Sequence, residues 1–118
     1  DTAIEEILPV DLMSTDDRSE HPEGVRPTIV KADHPILNGI PEEWPHFLGY
    51  NRLTAKPDAT VLAEHNGYAF MSTREYENGR TFAFASDCAP HWGPPEFVDW
   101  EYYNAFWINV VKWLGKKI

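Results

Sequence analysis

The densest group of chemistry-bearing side chains lies in the stretch DCAPHWGPPEF, where Asp87, Cys88, His91 and Glu96 fall within ten residues. A thiol becomes a nucleophile when an imidazole stands within hydrogen-bond reach, so Cys88 and His91 read as one candidate pair. Three residues apart with Pro90 between them, they could touch. A lone Cys beside an aromatic loop is far more often an ordinary half-buried packing residue, and that is the preferred reading of Cys88. Asp87, Cys88 and His91, with Glu96 as a fourth, would suit a metal by residue type. A structural site wants four such ligands, however, and the chain has one Cys. The sequence therefore predicts no metal and no other cofactor. A third reading pairs Asp87 with His91 to orient a ligand or close the loop. Its bland rival has His91 bonding only the backbone of a proline-rich turn. Asp87, His91 and Glu96 are the expected catalytic set if the loop is reactive.

Outside this loop the signals are thinner. Trp92 and Tyr102 fall off the helical spacing of the neighbouring aromatics, which leaves them as candidates for an exposed stacking platform. Tyr50, Asn51 and Arg52 interrupt an apolar run, so Tyr50 and Arg52, with Trp92, are the expected ligand-binding residues. A paired structural Arg is the rival explanation. His34 sits in Asp-His-Pro and reads as a turn former, while His21, His46 and His65 lie in connections and read as surface. There is no phosphate-cradling glycine loop and no Gly-x-Ser-x-Gly elbow.

These residues must be positioned by short elements, since the chain has 10 prolines and 7 glycines. Residues 3–13 read as extended, because Pro9 forbids a helix through the middle. Residues 14–27, rich in charge and bounded by Pro27, read as an exposed loop. Thr28–Val30 is a short β-branched run, and Asp33–Pro41 a compact turn with Ile36, Leu37 and Ile40 inward. Phe47–Leu53 reads as a strand. Thr60–Glu64, Tyr68–Tyr76 and Arg80–Ser86 are strand-like runs separated by two Asn-Gly pairs, predicting a three-stranded antiparallel meander. The last run is apolar on both faces, which predicts a central strand covered on both sides. Asp87–Phe97 reads as a loop leaving that strand. Asp99 then caps a helix whose apolar face is Tyr103, Phe106, Trp107, Val110, Val111 and Leu114, closed by Gly115.

Length and charge narrow the classes further. At 118 residues and 13.6 kDa the chain reads as one domain spanning residues 1–118. Lys and Arg number 10 against 19 Asp and Glu, a net charge of −9 that repels phosphate backbones and anionic lipid. Nucleic acid and membrane are thus excluded as expected partners, and an unknown small molecule remains. No apolar run approaches the roughly 20 residues that span a bilayer. A single Cys excludes an internal disulfide and points to a reducing, cytoplasmic setting. Residue 1 is Asp, and an apolar pattern begins at once without a cap, so an upstream segment is expected to be missing.

Four stretches carry a resemblance: DHPILNGIP (33–41), GYNRLTAKPDATVLA (49–63), YENGRTFAFASDCAPHWGPPEF (76–97) and WEYYNAFWINVVKWLG (100–115). Together they resemble the C-terminal half of the putative glutamine amidotransferase family. That family lies within the class I glutamine amidotransferase-like superfamily and is related to trehalose-utilisation-like proteins. The resemblance implies an α/β, flavodoxin-like sandwich, of which this chain is an incomplete C-terminal portion with an antiparallel β-meander and a C-terminal helix. It implies a Cys nucleophile on a strand-to-helix elbow upstream of residue 1, assisted by a His-Pro-Glu after a late strand. Here the loop after Arg80–Ser86 reads Asp-Cys-Ala-Pro-His instead, and Glu96 follows His91 at the wrong spacing. Cys88 lies in the wrong loop to be that nucleophile. The expectation is a scaffold of uncharacterised role without glutaminase activity in this segment. The alternatives are a small-molecule or carbohydrate binding module, or a structural half that forms a homo-oligomer or pairs with a missing N-terminal segment.

Overall fold

A computed structural model describes residues 2–118. A short helix α1 (Ala3–Ile7) opens the chain, capped by the Thr2 hydroxyl accepting the Glu5 N–H. The expected extended segment is therefore helical for one turn. Pro9 ends it, because the residue before a proline is pushed out of the helical region, and Leu8 is indeed extended. Strand β1 (Val10–Asp11) follows and pairs with β5 (Thr54–Ala55).

Residues 14–27 are not the exposed loop that their charge suggests. Arg18–Val25 forms β2, antiparallel to β4 (Phe47–Asn51), with an irregularity between Glu20 and Val25 that accommodates Pro22 and Gly24. Alternate side chains of β2 stay in water, so its composition is polar, yet its backbone groups find a ladder on β4.

The main sheet has four antiparallel strands in the order β3 (Thr28–Ile29), β6 (Thr60–His65), β7 (Tyr68–Tyr76), β8 (Gly79–Phe84). The meander is as predicted, with one adjustment at a turn. Asn66 and Gly67 both take positive φ, at 51° and 81°, as a two-residue hairpin with right-handed strand twist requires. At the second turn Tyr76 pairs with Gly79, so the central residues are Glu77 and Asn78, and Glu77 takes the positive φ of 52°. Every strand pairing among the described residues is antiparallel.

The centre of the sheet is β7, whose Ala69 to Thr73 are all buried, and not β8. Although apolar on both faces, β8 is an edge strand among the described residues, and its side chains from Arg80 to Phe84 are only half-buried. Apolar composition reports that cover is needed, and the cover need not come from these residues.

The core is largely aromatic. Trp44, Phe47, Phe70, Phe97 and Phe106 are essentially inaccessible to solvent, with Phe84 filling the space between them. A proline-led turn, Pro95–Val98, makes α2 where a continuous loop was expected, and Asp99 ends α2 rather than starting the long helix. That helix, α3, runs Tyr103–Leu114 and stops at Gly115. Phe106, Val110 and Trp113 face the sheet, while Val111 and Leu114, expected on that face, are exposed. The turn Pro35–Leu37 buries Ile36 and Leu37, and His34 caps it by accepting the Ile36 N–H at Nδ1.

Two histidines couple this packing to pH. Burial holds the His34 imidazole below its ordinary pKa, aided by the charges of Lys31 and Arg80. His65 is lowered by burial and then by His21. A histidine whose folded pKa lies below the unfolded value of about 6.5 leaves the unfolded chain holding more protons through that window, so stability falls as pH drops below about 6.5. The carboxylate Asp16, held to about 2 by Arg18, titrates far below this range. Urea midpoints should fall from pH 7.5 to pH 5, and His34→Gln should flatten that slope. An unchanged slope in the variant would remove His34 from the account.

Candidate functional site

The loop after β8 is sewn to β4 by backbone groups. The Asn51 N–H donates to the Ala85 carbonyl at 2.7 Å, and the Leu48 N–H to the Trp92 carbonyl at 3.0 Å. Ser86 Oγ donates to the Gly49 carbonyl at 2.7 Å. From the other side the Tyr103 hydroxyl donates to the Cys88 carbonyl at 2.6 Å. The loop is thus fixed at both ends, and its middle carries the titratable groups.

Within it His91 Nδ1 and Asp87 Oδ2 are 2.8 Å apart. A carboxylate only accepts, so Nδ1 carries the proton and Nε2, which has no protein partner among the described residues, presents a lone pair when the ring is neutral. The same Asp87 oxygen accepts the Trp92 N–H at 3.2 Å, and the His91 ring stacks on the Trp92 indole at 5.2 Å and 27°. His91 is mostly exposed and takes a φ of 127°, a conformation that costs a residue with a side chain about 1–3 kcal/mol. Asp87 and His91 therefore form the polar pair that was one of the readings open from sequence, with the imidazole oriented by the carboxylate.

The other expected site residues do not join them. Glu96 is exposed on the first turn of α2 and makes no hydrogen bond or ion pair with His91. Cys88 is exposed, not half-buried, and no hydrogen bond joins its Sγ to His91. Tyr50 is 1% exposed and lies on the other face of β4 from Gly49, so it cannot reach into a cleft beside Trp92. Its hydroxyl shares a 2.8 Å hydrogen bond with His65 Nδ1, and its ring stacks on His21 at 5.5 Å. Arg52 donates from Nε to the Asp17 carbonyl and from Nη2 to the Asp16 carbonyl, which is the structural role weighed against binding. Among the described residues no three His, Cys, Asp or Glu side chains converge as a metal site would need.

Trp92 is the clearest correction. Expected as an exposed platform, it is 5% exposed, with its indole N–H donating to Glu20 Oε1 at 3.0 Å. One face lies against Gly49, where an added Cβ would fall 2.4 Å from the indole nitrogen. A glycine inside an apolar strand marks such a close approach, so Gly49 was the signal for this contact. Glu20 was missed because β2 was read as loop. The same strand carries Ser19, His21 and Glu23 on one face, His21 lying 2.9 Å from Ser19 Oγ and 3.1 Å from Glu23. With Tyr50 and His65 these rings pack on one another and clasp β2, β4 and β6 together. Hollows of about 340, 530 and 250 Å³ are lined by other residues, none by Asp87, His91 or Trp92. The dyad stands on an open rim.

Among the described residues no helix is long and apolar enough to cross a membrane. The chain was also compared with known proteins. No curated protein matches it. Cytoplasmic protein STM3548 from Salmonella typhimurium superposes with a TM-score of 0.91 at 39% identity, over 97% of this chain and 46% of that one. Cytoplasmic protein STM1381 from Salmonella typhimurium LT2 superposes with a TM-score of 0.90 at 44% identity, over 96% of this chain and 46% of that one. The chain thus spans about half the length of these relatives. A family model described as putative glutamine amidotransferase matches residues 1–116, and with that match the chain belongs to the glutamine amidotransferase-like family.

Proposed function

We propose that this chain is the portion of a glutamine amidotransferase-like domain, flavodoxin-like when complete, that supplies an oriented imidazole but no nucleophile. Hydrolysis of a glutamine amide through a thioester needs a thiolate whose proton a nearby base has taken. The observation that carries the reading is the 2.8 Å contact of His91 Nδ1 with Asp87 Oδ2, with the chain's one thiol, Cys88, not hydrogen-bonded to that ring. The dyad therefore acts on a group brought to it: a small molecule, or a reacting centre held by residues outside this chain. The Asp87 contact and the stacked Trp92 hold the ring in place before that group arrives, and they sustain the strained φ of His91. The two Salmonella relatives are named as cytoplasmic proteins, and a cytoplasmic location fits the lone exposed Cys.

Incubation of the purified chain with glutamine should release no ammonia above a buffer control. Release that His91→Ala abolishes would overturn the proposal, and release abolished by Cys88→Ser would identify the sulfur wrongly set aside.

A further inference from the structure

The hollow of about 340 Å³ beside the last turn of α3 collects polar groups that the fold leaves without partners. Thr73 lines it from β7, on the sheet face that packs against α3 through Phe82 and Phe106. Thr73 is only 2% exposed, and its hydroxyl makes no hydrogen bond. His34, 8% exposed, lines the hollow from the turn before Pro35. Its Nδ1 accepts the Ile36 N–H, so the neutral ring carries its proton on Nε2, and that N–H has no acceptor among the described residues. Arg80 completes the set from β8. Its guanidinium lies over the Trp113 ring at 4.7 Å and gives Nη1 to the carbonyls of Trp113 and Ile118, while its buried Nε has no acceptor. Buried polar groups are nearly always hydrogen-bonded, so three donors left open around one hollow call for a partner.

Charge decides what that partner is. Arg74 and Asp58, also in the lining, neutralise each other at 3.0 Å. Arg80 forms no ion pair with a side-chain carboxylate, although Glu75 stands directly across the ladder from it. Opposite charges so placed ordinarily stabilise a sheet by pairing. Here the guanidinium is laid on Trp113 instead, and the exposed Glu75, which also lines the hollow, is left without an ion pair. One cation and one carboxylate of the lining are therefore both unpaired. A simple anion would have to approach a chain of net charge −9, whereas a molecule carrying both charges meets no such repulsion.

We propose that this hollow binds a small zwitterion of the amino-acid type, its carboxylate on the Thr73 hydroxyl, the His34 Nε2–H and the Arg80 guanidinium, and its ammonium toward Glu75. Hydrogen bonds to a carboxylate are the strong ones, and the indole of Trp113 supplies the apolar wall that such sites have beside a few convergent polar groups. The site shares no residue with Asp87, His91 or Trp92, so it stands apart from the chemistry of the dyad.

The test is titration of the isotope-labelled chain with glycine, L-alanine, L-serine and L-leucine, with acetate and methylammonium as the separate halves, read from amide and indole chemical shifts. The expected result is saturable shifts of the Thr73 and Arg80 amides and of the Trp113 indole N–H with at least one amino acid, which binds about ten-fold or more tightly than either half. Thr73→Val should weaken that binding about ten-fold, as the loss of one hydrogen bond to a charged group does, without lowering the urea midpoint, because the deleted hydroxyl has no partner to lose. Glu75→Gln, at an exposed position, should weaken the amino acid and leave acetate unchanged, and His91→Ala should change neither. Shifts with none of the amino acids, in a chain folded by circular dichroism, would show that water alone fills the hollow and would overturn the proposal. Equal affinity for acetate would also overturn it, since the site would then be one for anions. So would shifts centred on residues 87–92 that His91→Ala abolishes. Ammonia release in the glutamine assay would count against the proposed function and leave this binding result untouched.

Discussion

Phe47→Ala should remove about 3–5 kcal/mol of stability, the range for emptying a buried aromatic site. Phe47 is fully buried, and its ring lies 4.6 Å from Phe97, 5.2 Å from Phe70 and 5.8 Å from Phe84. Those three rings belong to α2, β7 and β8, so a single side chain ties the β2–β4 ribbon to the main sheet and to the loop behind it. The neighbours cannot collapse into the void without breaking edge-to-face pairs worth about 0.5–1.5 kcal/mol each beyond their burial. Against the 5–15 kcal/mol typical of a domain, that loss is a large share. Urea unfolding should show a lower midpoint at unchanged slope, whereas Val111→Ala, 69% exposed, should move stability by less than about 0.5 kcal/mol. A loss at Phe47 below about 1 kcal/mol would mean that this aromatic cluster is not the centre of the core.

The parts of the fold that were legible in sequence are those governed by neighbours along the chain. The Asn66-Gly67 hairpin and the His34-Pro35 turn follow from local backbone preferences, and α3 ends at Gly115 as its place in the sequence suggests, although the left-handed residue is Lys116, at φ 59°, and not the glycine, at φ −85°. What could not be read depends on a partner distant in sequence. β2 is polar because half of it faces water, and only β4 makes it a strand. β8 reads as central because it is apolar, but composition cannot say which chain segment covers it. Val111 and Leu114 fit a helical stripe and still point outward, because the stripe on α3 is wider than the face it packs on this sheet. The site divides the same way. Asp87 and His91 are four residues apart and were one of the pairings read from the sequence. Trp92 was placed on the wrong side of the surface because its burial is decided by Gly49 and Glu20, 43 and 72 residues before it.

Gly49→Ala tests that long-range contact and should have the largest effect on the site of any single methyl added to the chain. A Cβ at residue 49 would stand 2.4 Å from Trp92 Nε1, 2.6 Å from Cε2 and 2.8 Å from Cδ1. Contacts that short cannot persist, so the indole must move. It is wedged, however, between β4 and Glu20, and its carbonyl is held by the Leu48 N–H. Overpacking of this kind costs about 1–3 kcal/mol, and parting the buried indole N–H from the exposed Glu20 carboxylate, which water can then solvate, leaves mainly the N–H unsatisfied, a further cost of about 1–3 kcal/mol. Because His91 stacks on that indole and Asp87 accepts the Trp92 N–H, the dyad should lose its fixed geometry with it. Tryptophan emission should shift to the red, and amide exchange between residues 87 and 93 should accelerate. In a Trp92→Ala background the same Gly49→Ala change should cost far less, since the clash is gone, and the difference measures the coupling. Equal costs in both backgrounds would show that the indole does not lie on Gly49, and the rigid platform beneath His91 would fall with it.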